Sequence, residues 1–305
     1  MKPRVLIFLA TYCGEKYLRE QLDSLFAQKD VDIFIKCCDD CSDDSTVNIL
    51  EEYKMIHSNF DYEINKKNKK FTYNFLDLMF SEKNSDFDYY AFCDQDDVWM
   101  DNKLISAIRT IESKNNKKDC KNGILYCSNL TIVDENLNYI GMMENKSACK
   151  LNKYNYLVSN LCTGCTCVMD KKFYKHVTKK YPQNIYLHDY WIFLVAVFTA
   201  DYIYDINSYI YYRQHGNNQI GSNKKFFTKD KIKKFLRPKH LTSSLIKEFL
   251  VNYNDDIYAD DFKYVYIAAN YSNSFIEKNK LFWSLRIRRR KFNILFKLKV
   301  LFNKY

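Results

Sequence analysis

An α/β fold built on a mostly parallel sheet is what this sequence predicts, on three observations. Short apolar runs alternate with helix-period segments through the first third of the chain. That alternation implies parallel strands joined by right-handed crossovers. Two of the runs end directly in acidic clusters, Asp39-Asp40 and Asp94-Gln95-Asp96-Asp97. In open α/β sheets the C-terminal strand edge is where ligands bind. Beyond Ser222 the chain turns helical and basic, so a C-terminal region of different character, 224–305, follows a body of residues 1–223.

Val5–Thr11 is the first strand. Gly14 marks a turn, and Glu15–Gln28 carries Leu18, Leu22, Leu25 and Phe26 on one helical face. Ile33–Cys38 is the second strand, and Thr46–His57 the next helix, with Val47, Ile49, Leu50 and Tyr53. Tyr62–Ile64 is a short strand ahead of the basic loop Lys66–Lys70, and Phe71–Phe80 is helical. Tyr89–Cys93 is a strand, and a helix runs over Asp101–Ser113. After Gly123 the pattern changes. Ile124–Ser128 and Leu130–Val133 read as two short strands, Asp134–Asn138 as a turn, and Lys171–Lys179 and His188–Thr199 as helices. Tyr209–Arg213 is a closing strand. The apolar run Trp191–Ala200 is shorter than the roughly 18 residues of a membrane span, so it reads as a buried helix with Trp191 in the core.

The chain has 305 residues, 47% of them hydrophobic, which is ample for a core. Val5–Ala10 is too short for a secretory leader, so the expected location is the cytoplasm. Eleven cysteines, an odd count, fit reduced thiols rather than a disulfide framework. Cys37 and Cys38 are adjacent on a strand and face opposite ways, which argues against a zinc site there. Cys162, Cys165 and Cys167 read as buried thiols.

Three carboxylates within Asp94–Asp97 repel one another unless a cation joins them. Hard oxygen ligands suit Mg²⁺ or Mn²⁺, usually shared with substrate phosphates. An acidic turn can also simply cap a helix, and Asp43-Asp44 reads that way. Asp94–Asp97, hemmed by Phe92, Val98 and Trp99, reads as a site. Neither a GxGxxG nor a Walker A pattern occurs, so a Rossmann dehydrogenase or P-loop kinase lacks its phosphate cradle. A metal-held diphosphate needs no such loop and leaves by Lewis-acid catalysis.

Five pieces in order carry a family resemblance: Leu6–Leu18, Asp39–Thr46, Asp94–Trp99, the pair Thr163–Thr166 and His188–Trp191, and Tyr211–Asn218. Together, over about residues 4–221, they resemble family 2 glycosyltransferases of the GT-A fold, in the bacterial rhamnosyltransferase-like branch. Cys41 departs from that pattern, where the family usually has Gly. A side chain there is expected to meet an unfavourable backbone conformation.

The resemblance implies an inverting transfer of a sugar from a UDP- or dTDP-linked donor to a hydroxyl of a surface glycan or lipid-linked acceptor. It places Thr11, Tyr12 and Glu15 along the nucleotide and Asp39 on the pyrimidine N3–H. Asp94 would contact the ribose, and Asp97 would position its neighbours or help the donor sugar. Asp96, with His215 as a second protein ligand, would hold Mn²⁺ or Mg²⁺. Asp189 is the expected base, taking the acceptor proton. His188 is its rival, and either residue could instead cap the helix that follows. A catalytically silent nucleotide-sugar-binding module is the alternative from another class. A nucleotidyltransferase is a third, although Thr11–Lys16 carries one Gly where such enzymes have a glycine-rich loop.

The net charge of +10 is uneven. From Lys224 onward, 20 Lys and Arg face 7 Asp and Glu, so the whole positive excess lies in that region. Phe282–Phe302 contains no acid and interleaves large apolar residues with Lys and Arg. This reads as a helix on an anionic membrane surface, in preference to a packing or oligomer contact or a nucleic-acid contact. Because the motif series ends near Gly221, the tail is expected to be separable from the body.

Overall fold

The computed structural model describes residues 1–117, 120–143, 152–216, 241–284, 290–303 and 305. The boundary expected between residues 223 and 224 lies outside the described residues.

The first half alternates as expected: β1 Arg4–Thr11, α1 Leu18–Phe26, β2 Asp32–Asp39, α2 Thr46–Ile56, β3 Phe60–Ile64, α3 Lys70–Ser81 and β4 Tyr89–Cys93. There follow β5 Val98–Trp99, α4 Lys103–Asn115, β6 Ile124–Val133, β7 Tyr139–Met142, β8 Val168–Asp170, α5 Lys171–Val177, α6 His188–Thr199 and β9 Asp201–Arg213. Four more helices close the chain: α7 Leu241–Tyr253, α8 Ala259–Asn270, α9 Phe275–Ser284 and α10 Arg290–Leu301.

One nine-stranded sheet runs β3-β2-β1-β4-β8-β6-β9-β5, with β7 paired to β6. The long ladders, β1 with β2 and β4, β2 with β3, and β6 with β9, are parallel. Short antiparallel ladders attach β8, β7 and β5. Apolar runs buried on both faces suit the centre of such a sheet. In β1, Leu6 and Phe8 face one apolar cluster while Val5, Ile7 and Leu9 face the other. Cys38 and Cys37 divide between the same two clusters, and the ten described cysteines are thiols.

Three short strands, β5, β7 and β8, carry too few residues for periodicity to reveal them. The two strands expected over 124–133 are one strand, with the ladder to β9 irregular at Ser128 and Asn129. β9 begins at Asp201, well before the expected Tyr209. Its half-buried Tyr202–Ile206 obscured the alternation. The β6 entry needs Gly123, whose φ is +81°. A Cβ there would meet the Phe173 nitrogen at 2.2 Å.

Every side chain of α6 except Asp189 is buried. It lies between the sheet and α7, where Trp191 meets Phe249 and Tyr253. Leu245, Phe249, Val265, Leu281, Phe296, Val300 and Tyr305 belong to the same apolar cluster as α6. Each such burial contributes about 1.5–3 kcal/mol. The basic C-terminal helices therefore share a core with the body, which the sequence expectation of a separable tail did not include. Tyr305 donates its hydroxyl to Leu157 O at 2.6 Å, and Asp261 binds Lys153 and Tyr154 at 2.6 and 2.9 Å. Among the described residues, no helix is long and apolar enough to cross a membrane.

Candidate active site

β1, β2 and β4 are parallel, so Thr11, Asp39 and Asp94 emerge at one sheet edge. A cavity of about 660 Å³ opens there, a volume suited to a small-molecule ligand. Its walls include Thr11, Tyr12, Asp94, Gln95 and Asp96 on one side, and Asn160, Thr163, Gly164 and Asp189 on another. Segments far apart in sequence thus converge, while Glu15, Asp39, Asp97 and His215, also expected at the site, are not among its walls.

The nucleotide-side residues do different jobs. Tyr12 is exposed at the cavity rim. Thr11 is buried and donates to Asp39 Oδ1 at 2.8 Å. Asp39 is fully buried, and its carboxylate also accepts from Ser42 Oγ at 2.6 Å and Ser42 N at 2.8 Å. It shapes the wall from behind, while Asp40 lines the cavity. Asp40 also organises the basic loop, accepting from the backbone of Lys69 and Lys70. Glu15 accepts from Ser45 N at 2.9 Å, and Asp44 accepts from Glu15 N. These bonds tie the first loop to the start of α2. Asp44 also accepts from Thr46 N in the first turn of α2, the capping expected of this acidic turn. Cys41 adopts φ +67°, the unfavourable conformation expected where a Gly is usual, and its thiol donates to Asn65 O.

In the second cluster, Asp94 and Asp96 line the cavity and Asp97 is fully buried behind them. Burial, then the charges of Asp96 and Asp189, raise the Asp94 pKa to about 7. Burial also raises Asp97 well above the usual carboxylate range, with the charges of Asp96 and Asp94 adding. Asp97 Oδ1 accepts from Arg213 N at 3.1 Å. Asp96 Oδ2 lies 2.8 Å from His215 Nε2, joining residues 119 positions apart.

Two groups could hold a cation. Asp94, Asp97 and Cys165 bring one ligand atom each within 4.8 Å of one another. Asp97 and Cys165 are buried in the wall, however, and a thiol is a poor ligand for a hard ion. Asp94 and Asp96 line the cavity and offer carboxylate oxygens that suit Mn²⁺ or Mg²⁺, with the His215 imidazole 2.8 Å behind Asp96 Oδ2.

Asp189 occupies the first turn of α6. It is not the cap, because the helix starts at His188 and Leu187 holds the cap position without a side-chain bond. Its Oδ1 accepts from Tyr190 N at 2.6 Å. Burial raises its pKa to about 6 against opposing hydrogen bonds from Tyr190, Gly164 and Asn160. The helix N-terminus favours the carboxylate, but burial outweighs it. His188 is buried against Phe75, Phe92 and Phe71, with ring centroids at 4.4, 5.3 and 6.2 Å. Burial lowers its pKa to about 3, and neither ring nitrogen has a hydrogen-bond partner among the described residues. A Cβ at Gly164 would lie 2.8 Å from His188 Nε2, so the glycine lets the loop close over the imidazole.

Several residues that hold the site escaped sequence reasoning. The Gln95 amide bonds both backbone groups of Tyr12. Arg213 is buried, and its guanidinium donates to Asp96 O at 2.9 Å, to Glu135 O at 2.6 Å and to the Glu20 carboxylate. Lys103 is buried beneath the acidic loop with Nζ 3.3 Å from the Trp99 ring centroid, and burial pulls its pKa down to about 8. Gln95 lies within the acidic motif and Lys103 six residues beyond it, and that proximity was the one available signal.

A sheet with carboxylates on its C-terminal edge, facing the helix that carries Asp189 across the cavity, is a frame that the sequence comparisons identify as a glycosyltransferase. The chain belongs to glycosyl transferase family 2, whose sequence model matches residues 6–178. It is 32% identical over 251 residues to the dTDP-rhamnosyl transferase RfbG of Shigella flexneri, covering 78% of this chain and 82% of that relative. An uncharacterised glycosyltransferase of Rickettsia typhi, RT0329, is 26% identical over 70% of this chain and 64% of its own. S. aureus TarS 1-349 in complex with UDP-GlcNAc superposes with a TM-score of 0.59 at 16% identity, over 97% of this chain and 81% of that one. The mannosyltransferase PcManGT of Pyrobaculum calidifontis, in complex with GDP-Man and Mn²⁺, gives a TM-score of 0.54 at 12% identity, over 100% and 89%.

Proposed function

We propose that the protein transfers a sugar, with inversion, from a UDP- or dTDP-linked donor to a hydroxyl of a surface glycan or lipid-linked acceptor at the inner face of the cytoplasmic membrane. One observation carries this reading. Asp189, with its pKa raised to about 6, faces the same cavity as Asp94 and Asp96. A base and a diphosphate-handling cluster in one cavity are the two parts a transfer to a hydroxyl needs.

In this scheme the nucleotide lies along Thr11 and Tyr12, with Asp94 at the ribose. Asp39 supports that wall, and Glu15 and Asp97 position loops rather than touch the donor. Asp96 and His215 would hold Mn²⁺ or Mg²⁺, which would supply Lewis-acid neutralisation of the diphosphate leaving group. Asp189 accepts the acceptor proton as that oxygen attacks the opposite face of the anomeric carbon. His188 also lines the cavity, but packed against phenylalanines and neutral down to about pH 3 it is the poorer base. The likeness to a relative described as a dTDP-rhamnosyl transferase favours a dTDP-deoxyhexose donor.

A hydrolysis screen of nucleotide sugars with Mn²⁺ or Mg²⁺ tests the reading. Slow release of one nucleoside diphosphate is expected and names the donor. No release from any sugar, together with tight nucleotide-sugar binding, would mean a silent binding module.

A further inference from the structure

The C-terminal helices have two apolar faces, and the body covers one of them. On α10, Phe296 and Val300 point into the core. Ile294, Leu298 and Leu301 follow one another at helical spacing on another face, at 53, 38 and 50% exposure, and Phe302 continues it at 64%. On α9, Leu281 is buried while Ile276 and Trp283 are 65 and 74% exposed. Lys297 joins the two stripes, with Nζ 4.5 and 4.9 Å from the ring centroids of Phe282 and Trp283. α10 thus carries apolar residues on two faces, and its packing on the body covers one of them.

Charge selects the occupant. No acidic residue follows Glu277, whereas Lys and Arg are frequent through the same stretch. A second copy of this chain would bring the same positive charge against it. We propose that this face, centred on Trp283, Leu298 and Phe302, docks on an anionic lipid bilayer. Its apolar side chains enter the headgroup boundary, and Lys297, beside Trp283, meets the lipid phosphates. The docking is built into the enzyme's frame. Tyr305 binds Leu157 and Asp261 binds Lys153 and Tyr154, just ahead of Asn160–Gly164 on the cavity wall. The proposal rests on packing and charge, independent of which sugar is transferred.

Co-sedimentation of the full chain with phosphatidylcholine vesicles, with and without phosphatidylglycerol, tests it. Wild type is expected to pellet with the anionic vesicles and to retain part of that binding in high salt, because apolar insertion is not screened. Trp99 and Trp191 are buried, so a blue shift in emission on adding vesicles reports Trp283. The double variant Trp283→Ser/Phe302→Ser, and separately Leu298→Lys, should keep the circular dichroism and nucleotide affinity of wild type. The double variant should bind vesicles at least tenfold more weakly. Wild type that stays in solution with anionic vesicles overturns the proposal, as does a double variant that binds them equally. So does a wild-type dimer that Leu298→Lys makes monomeric, which would assign the face to a second copy.

Discussion

Gln95 grips the backbone of Tyr12 at both ends. Its Oε1 accepts from the Tyr12 N–H at 2.7 Å, and its Nε2 donates to the Tyr12 carbonyl at 2.9 Å. The loop that carries Asp94 and Asp96, the carboxylates proposed to handle the diphosphate, is thereby fastened to the loop proposed to hold the nucleotide base. A Cβ at Gly14 would lie 2.5 Å from the same Oε1, so the turn admits the amide only with glycine there. Gln95→Ala removes both bonds, each of net value about 1 kcal/mol. Donor KM is expected to rise about tenfold with a smaller change in kcat. Unchanged steady-state constants would show the two loops to be independent.

The pairing of Asp96 with His215 makes a second prediction. Asp96→Asn should abolish the metal dependence of nucleotide binding and lower turnover by about a thousandfold, the several kcal/mol a Lewis acid supplies. His215→Ala should act in the same direction and less severely. Titration with UDP and dTDP, with and without Mn²⁺, decides. Equal affinity in the two conditions for the wild type would remove the metal from the mechanism.

Asp189 gives a pH prediction with a definite sign. A base must be ionised to work, and burial raises this carboxyl to about 6. Transfer should therefore fall as pH drops through about 6 and level off above it, and Asp189→Asn should erase that limb. Nucleotide affinity should stay near wild type while transfer falls by about two to four powers of ten. His188→Ala should leave the limb in place. A limb that follows His188 instead reverses the assignment.

Strands β1, β2 and β4 were legible because they are apolar on both faces, and their C-terminal acids followed. Asp189 was legible as a lone carboxylate at the head of an apolar helix. Which way a strand-end carboxylate turns was not legible. Asp39 and Asp97 look like their neighbours in sequence, yet each is buried behind the wall by a partner from another segment, Thr11 and Arg213. The work of Arg213 depends on contacts 78 to 193 residues away, and no local pattern encodes these. The packing of the basic tail, which the sequence admitted only as an alternative, was ranked below the membrane reading for a related reason. Its second apolar face is hidden among the residues that suggested an exposed amphipathic helix.

Cys41 tests the backbone directly. At φ +67° a side chain costs about 1–2 kcal/mol, whereas Gly adopts the conformation freely. Gly also loses more entropy on folding, by about 0.5–1 kcal/mol, and gives up the thiol bond to Asn65. Cys41→Gly is expected near wild-type stability, and Cys41→Ala lower than Cys41→Gly by about 1 kcal/mol. Urea unfolding of the three proteins measures the order, and Ala above Gly would mean that the turn relaxes.

Truncation of the tail is the severest test of its packing. Deleting Phe282–Tyr305 removes Phe296, Val300 and Tyr305 from the cluster that contains α6. At about 1.5–3 kcal/mol for each large apolar side chain, the loss approaches the 5–15 kcal/mol that holds a typical domain together. The truncated chain should be unfolded or aggregated, with no nucleotide binding. Tyr305→Phe is the gentler counterpart. It keeps the ring against Tyr271 and Phe296 and removes only the hydroxyl bond to Leu157 O, at a cost of about 1–3 kcal/mol for the unmet buried acceptor. Because Leu157 precedes the cavity wall, the variant should weaken transfer to the acceptor more than donor hydrolysis. A soluble truncation that still binds nucleotide would show that the body folds without the tail.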